Sequence, residues 1–232
     1  MAYRENTHLS QEVRDILLAD AVLIIAFSLT LSGGIFNLLS RGTFTDFFTL
    51  YLPISAVAVT LSFILHEMMH KLVAQHYGAI AGFRTSYTGL LITILTGAAG
   101  FLLGIPGATM IYVNSFTRKE NGIVSLAGPL TNFVVFGAAL LLLVILNPPQ
   151  YSFTDYALSF TLFISIYLAF FNMLPIYPLD GSKVLAWDIR VYVLTMAVIL
   201  GLVWYFSIIP LSVVLYMVLI AIFFSMFYRM VL

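Results

Sequence analysis

The residues best suited to chemistry in this sequence lie in one short run, His66-Glu67-Met68-Met69-His70. On an α-helix His66 and His70 are one turn apart on the same face, close enough for both imidazoles to bind one metal ion. Glu67 can then reach a water molecule bound to that ion. This is the H-E-x-x-H zinc signature, and a chance match has a probability of roughly one in a thousand in a chain of this composition. The run predicts a zinc site.

A zinc site of this kind needs a third protein ligand, because catalytic sites commonly use three and leave one position for water. The chain has no Cys, so the ligand must be a His or a carboxylate. Asp180 is the best candidate because Pro175 and Pro178 break a helix just before it and expose the carboxylate. An ordinary Asp-Gly turn is the alternative. Weaker candidates lie near the interface, in loops or beside the next helix: His76, Glu120, Asp155 and Asp188.

The elements that must position these residues are membrane helices. The chain is 62% hydrophobic and 9% charged, and its mean hydropathy is +1.06. This composition excludes a soluble domain of 232 residues and indicates a multi-spanning membrane protein. The net charge is zero and there is no basic run, so no nucleic-acid partner is expected. Ionisable residues inside such helices are costly, which makes His66, Glu67 and His70 functional candidates.

Six apolar runs are long enough to cross a bilayer core of about 30 Å. They are predicted at 16–39, 47–75, 122–146, 155–174, 190–207 and 209–230. The first run is longer than the core of a signal peptide, which predicts a retained span. Asp20 lies within this run, and we expect it to sit at the interface or to pair with a neighbour.

A seventh apolar run, 89–105, contains four Gly and two Thr and is flanked by two predicted strands, Phe83 to Tyr87 and Thr109 to Val113. If both strands belong to one sheet, the run must enter and leave on the same side. A re-entrant run with a cytoplasmic N-terminus also puts all but one of the ten Lys and Arg residues on the cytoplasmic side, the exception being Arg41. The sequence therefore predicts a re-entrant element, with both termini in the cytoplasm.

Two later motifs are also polar at membrane depth. The run from Ser125 to Asn132 contains Ala-Gly-Pro-x-x-Asn, which by itself fits close helix packing as well as a polar site. The run from Asn172 reads Asn-x-x-Pro-x-x-Pro-Leu-Asp-Gly and contains Asp180. Together with the run His66–His70, and in this order, these motifs resemble the site-2 protease family of intramembrane zinc metalloproteases. The resemblance covers roughly residues 60 to 185.

This resemblance implies roles for individual residues. One Zn²⁺ per chain would be bound by three ligands: His66, His70 and Asp180. Glu67 would be the general base. Asn132 and Asn172 would lie near the active site, where they position the substrate or stabilise the oxyanion.

The resemblance also implies the architecture. We expect an all-α multi-spanning membrane protein with about six transmembrane helices and a small membrane-associated β-sheet beside the metal. The catalytic core would be three helices at 47–75, 122–146 and 155–182. In a departure from many members of that family, the chain is expected to be a single protease domain over 1–232, with its catalytic core at about 47–190 and no PDZ or CBS domain. Its expected substrates are proteins anchored in the lipid bilayer of the cell membrane, cut within or near their transmembrane segments.

Other functions fit parts of the pattern. A membrane zinc protease of the prenyl-protein type also uses H-E-x-x-H, but we expect its later ligand to be a Glu on a helix, and Glu120 is the only Glu after His70. A zinc-binding transporter or an inactive scaffold is the non-enzyme alternative. A transporter has no need of Glu67 beside His66 and often has repeat symmetry, which this sequence lacks. The sequence leaves the oligomeric state open.

Overall fold

The structure is a computed structural model that describes residues 2–112 and 116–206, together with Leu215 and Leu219. Most of this part of the chain is helical, with one pair of strands. The elements in chain order are α1 (Ala2–Leu31), α2 (Ile35–Arg41), α3 (Phe44–His76), β1 (Ile80–Thr85), α4 (Tyr87–Ala98), β2 (Gly107–Tyr112), α5 (Arg118–Leu146), α6 (Phe153–Asn172), α7 (Asp180–Trp187) and α8 (Ile189–Phe206).

Four helices of the described part, α3, α5, α6 and α8, are long and apolar enough to cross a membrane. The first predicted span, 16–39, is not one straight helix, because α1 and α2 meet at a bend of 55°. Gly33 and Gly34 have φ values of 81° and 90°, which end α1 in the left-handed region. Counted as one broken span, the pair brings the number of candidate spans in the described residues to five, which correspond to the first five predicted spans. The sixth predicted span, 209–230, lies outside the described residues apart from Leu215 and Leu219.

Two helix ends differ from the predicted positions. Helix α5 begins at Arg118, four residues before the predicted start, because Thr117 and Glu120 form a capping box. The predicted core helix 155–182 is wrong beyond Asn172, where α6 ends. The turn that follows contains Pro175 and cannot continue the helix, so α7 is a separate short helix.

The two strands form an antiparallel hairpin-like pair around α4. Both strands begin before the predicted positions, and Val113 lies outside the described residues. Strand β1 ends at Thr85 because the Ser86 side chain caps α4. Thr85 pairs with Gly107, so residues 86–106 leave and return at the same end of the sheet. With 12 residues, α4 is about 18 Å long, too short for a core of about 30 Å.

The return segment after α4 is not helical and is only partly buried, with Leu102 buried and Phe101 and Ile105 exposed. Neighbouring hydroxyl groups provide the partners that such a backbone needs. Three of these bonds are Ile105 N–H to Thr93 Oγ1 at 3.1 Å, Leu103 N–H to Thr96 Oγ1 at 3.1 Å, and Tyr167 Oη–H to Leu102 O at 2.8 Å. This explains why an otherwise apolar run contains two Thr.

Helix α6 lies at the centre of the bundle, because more than half of its apolar stretch is buried inside the protein. It meets α3 at Ser62 and Ser165, whose hydroxyl oxygens are 2.9 Å apart. Ser62 belongs to a π-helical turn, Thr60–Ile64, directly before His66. Wide turns of this kind occur frequently at functional sites because they rotate the residues that follow.

Helix α1 holds the sheet against α3. The Lys71 Nζ lies 2.7 Å from both carboxylate oxygens of Glu12, and Glu12 Oε1 also accepts a hydrogen bond of 3.3 Å from Phe83 N–H. The outer edge of β1 is therefore covered by α1. Deeper in the same helix, Asp20 Oδ2 accepts a bond of 2.7 Å from Thr60 Oγ1, so Asp20 pairs with a neighbour as predicted.

Candidate metal centre

His66 and His70 lie on the buried face of α3, with only 2% and 6% of their surfaces exposed. Their spacing of one helical turn brings the two Nε2 atoms to 3.0 Å from each other. The rings are nearly perpendicular, at an interplanar angle of 85°. The lone pairs of the two Nε2 atoms can therefore point at one common position, where a metal ion could bind.

Asp180 reaches the same centre from the N-terminus of α7. Its Oδ2 lies 3.4 Å from His66 Nε2 and 3.0 Å from His70 Nε2. Gly181 permits this approach, since a Cβ there would lie 2.7 Å from the Leu174 carbonyl oxygen and closer still to that of Met173. The broken end of α6 and the absent side chain of Gly181 together place the carboxylate.

These three side chains form a group that could hold a metal ion, with ligand atoms within 4.8 Å of one another. Ligands at zinc–nitrogen and zinc–oxygen distances of about 2.0–2.1 Å in a tetrahedral shell are about 3.3 Å apart. The observed separations of 3.0 to 3.4 Å match that shell. Two imidazoles and one carboxylate are also a ligand set used by catalytic zinc. The residues present therefore fit the ion.

Helix α5 comes unusually close to this centre at Gly128. A Cβ at this position would lie 2.6 Å from His66 Nε2 and closer still to His70 Nε2. Only a residue without a side chain leaves space for both imidazoles against the α5 backbone. The Gly of the Ala-Gly-Pro-x-x-Asn motif is therefore part of the wall of the metal centre.

The far nitrogens of both rings also face α5. Val124 O lies 2.7 Å from His70 Nδ1. The side-chain amide of Asn132 lies 3.2 Å from His66 Nδ1, measured to Nδ2. A metal-binding His normally uses its second ring nitrogen for a contact of this kind, which fixes the ring orientation.

Glu67 lies beside the centre and is half-buried. Its Oε2 accepts hydrogen bonds from Thr109 N–H at 3.1 Å and from Thr109 Oγ1 at 2.8 Å. Since Thr109 lies in β2, the sheet and α3 meet at this carboxylate. The two bonds hold the carboxylate in place beside the candidate ligands.

A cavity of about 390 Å³ opens beside the centre. Its wall includes His66, Glu67, His70, Asp180, Asn172, Lys183 and the residues of β2 from Gly107 to Ile111. Asn172 donates to Leu168 O in its own helix at 3.0 Å while lining the cavity. The arrangement offers space for a substrate between β2 and the candidate ligands.

The electrostatics of the centre favour an ionised Asp180. Burial raises the pKa of its carboxyl group, but the charge of His70 and the hydrogen bonds from both imidazoles lower it further, so the pKa lies below its usual range. Lys183 Nζ, at 3.8 Å from Asp180 Oδ1, adds a second positive neighbour. The side chain is therefore an anionic oxygen ligand at neutral pH.

Comparison with known proteins gives this site a family. The protein named "Putative zinc metalloprotease MJ0611" of Methanocaldococcus jannaschii is 42% identical to this chain over 147 residues, which are 63% of this chain and 76% of the relative. The chain belongs to this zinc metalloprotease family. This chain is also similar to a second protein, "Zinc metalloprotease MJ0392" of the same organism, with 27% identity over 130 residues. These are 56% of this chain and 32% of that relative. No family model matches the chain.

The structure separates the remaining sequence candidates from the metal centre of this metalloprotease. His76 is exposed at the end of α3. Glu120 and Asp155 lie in the first turns of α5 and α6 rather than in loops, and Asp188 accepts hydrogen bonds at the start of α8. All four lie at helix ends and stand outside the group formed by His66, His70 and Asp180.

Sequence reasoning missed two contributors to the site. Thr109 was expected only as a strand residue, and nothing in the local sequence indicates its bond to Glu67. Val124 contributes through its carbonyl oxygen, which every residue has, so no sequence signal could identify it. For Gly128, the four-residue spacing to Asn132 was a usable signal, because it places both on one face of a helix.

Proposed function

We propose that this zinc metalloprotease acts within the membrane, as a protease of the site-2 type that cuts membrane-anchored proteins within or near their transmembrane segments. The observation that carries the proposal is the meeting of His66, His70 and Asp180 on helices of an apolar bundle, beside an open cavity. The two histidines lie on α3, a helix long enough to span a bilayer. A site of this kind gives access to peptide bonds that soluble proteases cannot reach.

The proposed core consists of α3, α5 and the α6–α7 pair. Helix α3 contributes two ligands and Glu67, α5 packs on both imidazoles at Gly128, and α7 contributes Asp180. We further propose a multi-pass orientation with both termini in the cytoplasm, which is supported by the predominance of Lys and Arg in the predicted cytoplasmic segments. Water would then enter from the side on which Lys183 lies.

Zinc held by these ligands would lower the pKa of a water molecule and polarise the peptide carbonyl. Glu67 takes the proton that the attacking water loses and delivers it to the amine nitrogen as the C–N bond breaks. Thr109 keeps the Glu67 carboxylate in position for both transfers. Asn172, on the cavity wall, is in a position to hold the substrate backbone.

The substrate must unwind before it is cut, because a helix ties up its carbonyl groups. An extended substrate can add to the edge of a sheet through backbone hydrogen bonds. Of the two edges, that of β1 is covered by α1, since Phe83 N–H is bonded to Glu12. The β2 edge lies on the cavity wall. Thr109 N–H on this edge is bonded to Glu67, but Ile111 N–H, two residues further along the strand, points the same way and is the donor that we assign to the substrate. We therefore place the substrate strand along β2.

The experiment that tests this function compares the wild type with Glu67→Gln in proteoliposomes that contain a single-span reporter protein. We expect Glu67→Gln to lose cleavage by at least about a hundredfold, the usual size of a general-base contribution, and to keep one zinc per chain. Glu120→Gln is the matched control, since in the part of the chain that the structure describes Glu120 takes part in the capping box of α5 and lies outside the metal centre.

The same vesicles separate the alternatives. A zinc-binding transporter would move zinc into the vesicles, and the Glu67→Gln variant would transport normally. An inactive scaffold would bind zinc and do neither. If the wild type cuts no membrane-anchored reporter, including reporters with Pro or Gly near the expected cut, the proposed protease function is wrong.

A further inference from the structure

Three residues of α5 form a stripe against the two imidazoles. Val124, Gly128 and Asn132 follow one another at four-residue intervals, which places them on one face of the helix. Gly128 lies opposite both Nε2 atoms, Val124 O faces His70 Nδ1, and the Asn132 amide faces His66 Nδ1. One helix face therefore lies against both imidazole rings and contacts the Nδ1 atom of each.

The chemistry of imidazole constrains what these contacts can be. A neutral ring has one nitrogen with a proton and one with a lone pair. In both rings Nε2 points to the common centre with Asp180, so binding a metal there requires the proton on Nδ1. Each Nδ1–H then needs an acceptor. For His70 that acceptor is Val124 O at 2.7 Å.

At His66 the corresponding place beside Nδ1 is taken by the side-chain amide of Asn132. This side chain is fully buried, and its Oδ1 has no hydrogen-bond partner in the described part of the chain. Its Nδ2 lies 3.2 Å from His66 Nδ1. Two donors cannot bond to each other, whereas a half-turn of the amide brings the unpartnered Oδ1 to the Nδ1–H group.

We propose that Asn132 is a positioning residue of the metal centre: its Oδ1 accepts the Nδ1–H of His66 and fixes the tautomer that presents Nε2 to the metal. The inference rests on the zinc-dependent function proposed above. It assigns Asn132 a different task from substrate positioning or oxyanion stabilisation. Asn172 is among the residues that line the cavity in the described part of the chain, but Asn132 is not, and a substrate in the cavity would not reach it.

Zinc affinity of the purified protein, measured by competition with a chromogenic chelator, tests the proposal. Asn132→Leu keeps the size of the side chain but removes the acceptor, and we expect affinity to fall by about 10- to 100-fold, as for other partners of metal-bound His. Asn132→Asp keeps an acceptor and is expected to retain most of the affinity. Thr131→Val is the matched control, since among the described residues the Thr131 hydroxyl bonds to Ala127 O of its own helix and not to the metal centre.

The pair of variants distinguishes the acceptor role from two others. If the amide instead donated to an unprotonated Nδ1, Asn132→Asp would bind zinc as poorly as Asn132→Leu. If Asn132 only filled space, Asn132→Leu would bind zinc as the wild type does. Either result overturns the proposal.

A second measurement needs no variant and so does not depend on whether the variants fold. The chain has four His, so ¹⁵N-labelled histidine in the zinc-loaded wild type gives a small set of signals. We expect the His66 ring to show a protonated Nδ1 in slow exchange with water. An unprotonated Nδ1 overturns the inference.

These results are separable from the test of the protease itself. A wild type that binds zinc but cuts no reporter overturns the proposed proteolysis and leaves the role of Asn132 standing. Equal zinc affinity in the wild type and Asn132→Leu overturns the role of Asn132 and leaves the proposed proteolysis standing. A wild type that binds no zinc overturns both.

Discussion

The Glu67 carboxylate accepts two hydrogen bonds from Thr109, one from the backbone N–H and one from the hydroxyl, both at the same oxygen. One residue belongs to the helix that carries the histidines and the other to the strand that lines the cavity. The candidate base and the candidate substrate edge are therefore one connected unit. A shift of β2 would move the Glu67 carboxylate.

The first prediction concerns this bond. Thr109→Val keeps the shape and the N–H group of the residue but removes the hydroxyl bond to Glu67, so we expect kcat to fall about two- to tenfold, the effect of about 0.5–1.5 kcal/mol. Zinc content should not change. Thr109→Ser restores the hydroxyl and should restore most of kcat. Equal rates for Thr109→Val and the wild type would show that the bond does not position Glu67.

The second prediction concerns the close approach of α5. Gly128→Ala should greatly weaken zinc binding, because the added Cβ would occupy the space of both imidazoles. Gly137→Ala is the matched control in the same helix, since a Cβ there meets nothing within 4 Å. That change should raise thermal stability slightly, by about 0.5–1 kcal/mol, without affecting zinc. Titration with zinc and thermal unfolding in detergent measure both effects, and normal zinc affinity in Gly128→Ala would contradict the geometry.

The third prediction concerns the ligands themselves. Metal analysis of dialysed protein should give one zinc per chain for the wild type and none for His70→Ala or Asp180→Ala, since either change leaves two protein ligands. His76→Ala removes an exposed His from the same helix and should keep its zinc. Retention of zinc by Asp180→Ala would mean that another group completes the site.

The fourth prediction concerns the edge of β2. Thr109 N–H points away from β1, and alternate residues of a strand point the same way, so Ile111 N–H also lies on the outer edge. Ile111→Pro removes that donor and should raise KM for a membrane-anchored substrate more than it lowers kcat. Ile111→Ala, which keeps the N–H group, is the control. If both variants have the same KM, the substrate does not pair with β2.

The fifth prediction concerns Glu12, which connects α1 to α3 through Lys71 and to β1 through Phe83 N–H. Glu12→Ala leaves Lys71 and Phe83 N–H without their acceptor and should lower stability by about 1–3 kcal/mol. Glu12→Gln keeps an acceptor for Phe83 and should cost less. A double-mutant cycle with Lys71→Met, followed by thermal unfolding, measures the coupling. Additive effects of the two changes would show that the ion pair contributes nothing.

The membrane spans illustrate where sequence patterns suffice. Apolar runs gave α3, α5, α6 and α8 to within a few residues, because a bilayer requires that length and composition of any helix. The breaks were harder to predict. The bend after Leu31 depends on the positive φ values of Gly33 and Gly34, and a Gly in an apolar run can equally continue a helix.

The residue types and local spacing determined by themselves that His66, Glu67 and His70 share one helix turn, since the period of an α-helix is fixed. They also determined that Asp180 follows a helix break. Only the tertiary structure decided that Asp180 meets both imidazoles, that Asn132 faces His66, and that Thr109 holds Glu67. These contacts join residues 42 to more than 100 positions apart, and their distances depend on how α3, α5, α7 and β2 pack. Packing is set by the fit of whole faces, down to the missing side chain of Gly128, and no local pattern encodes it.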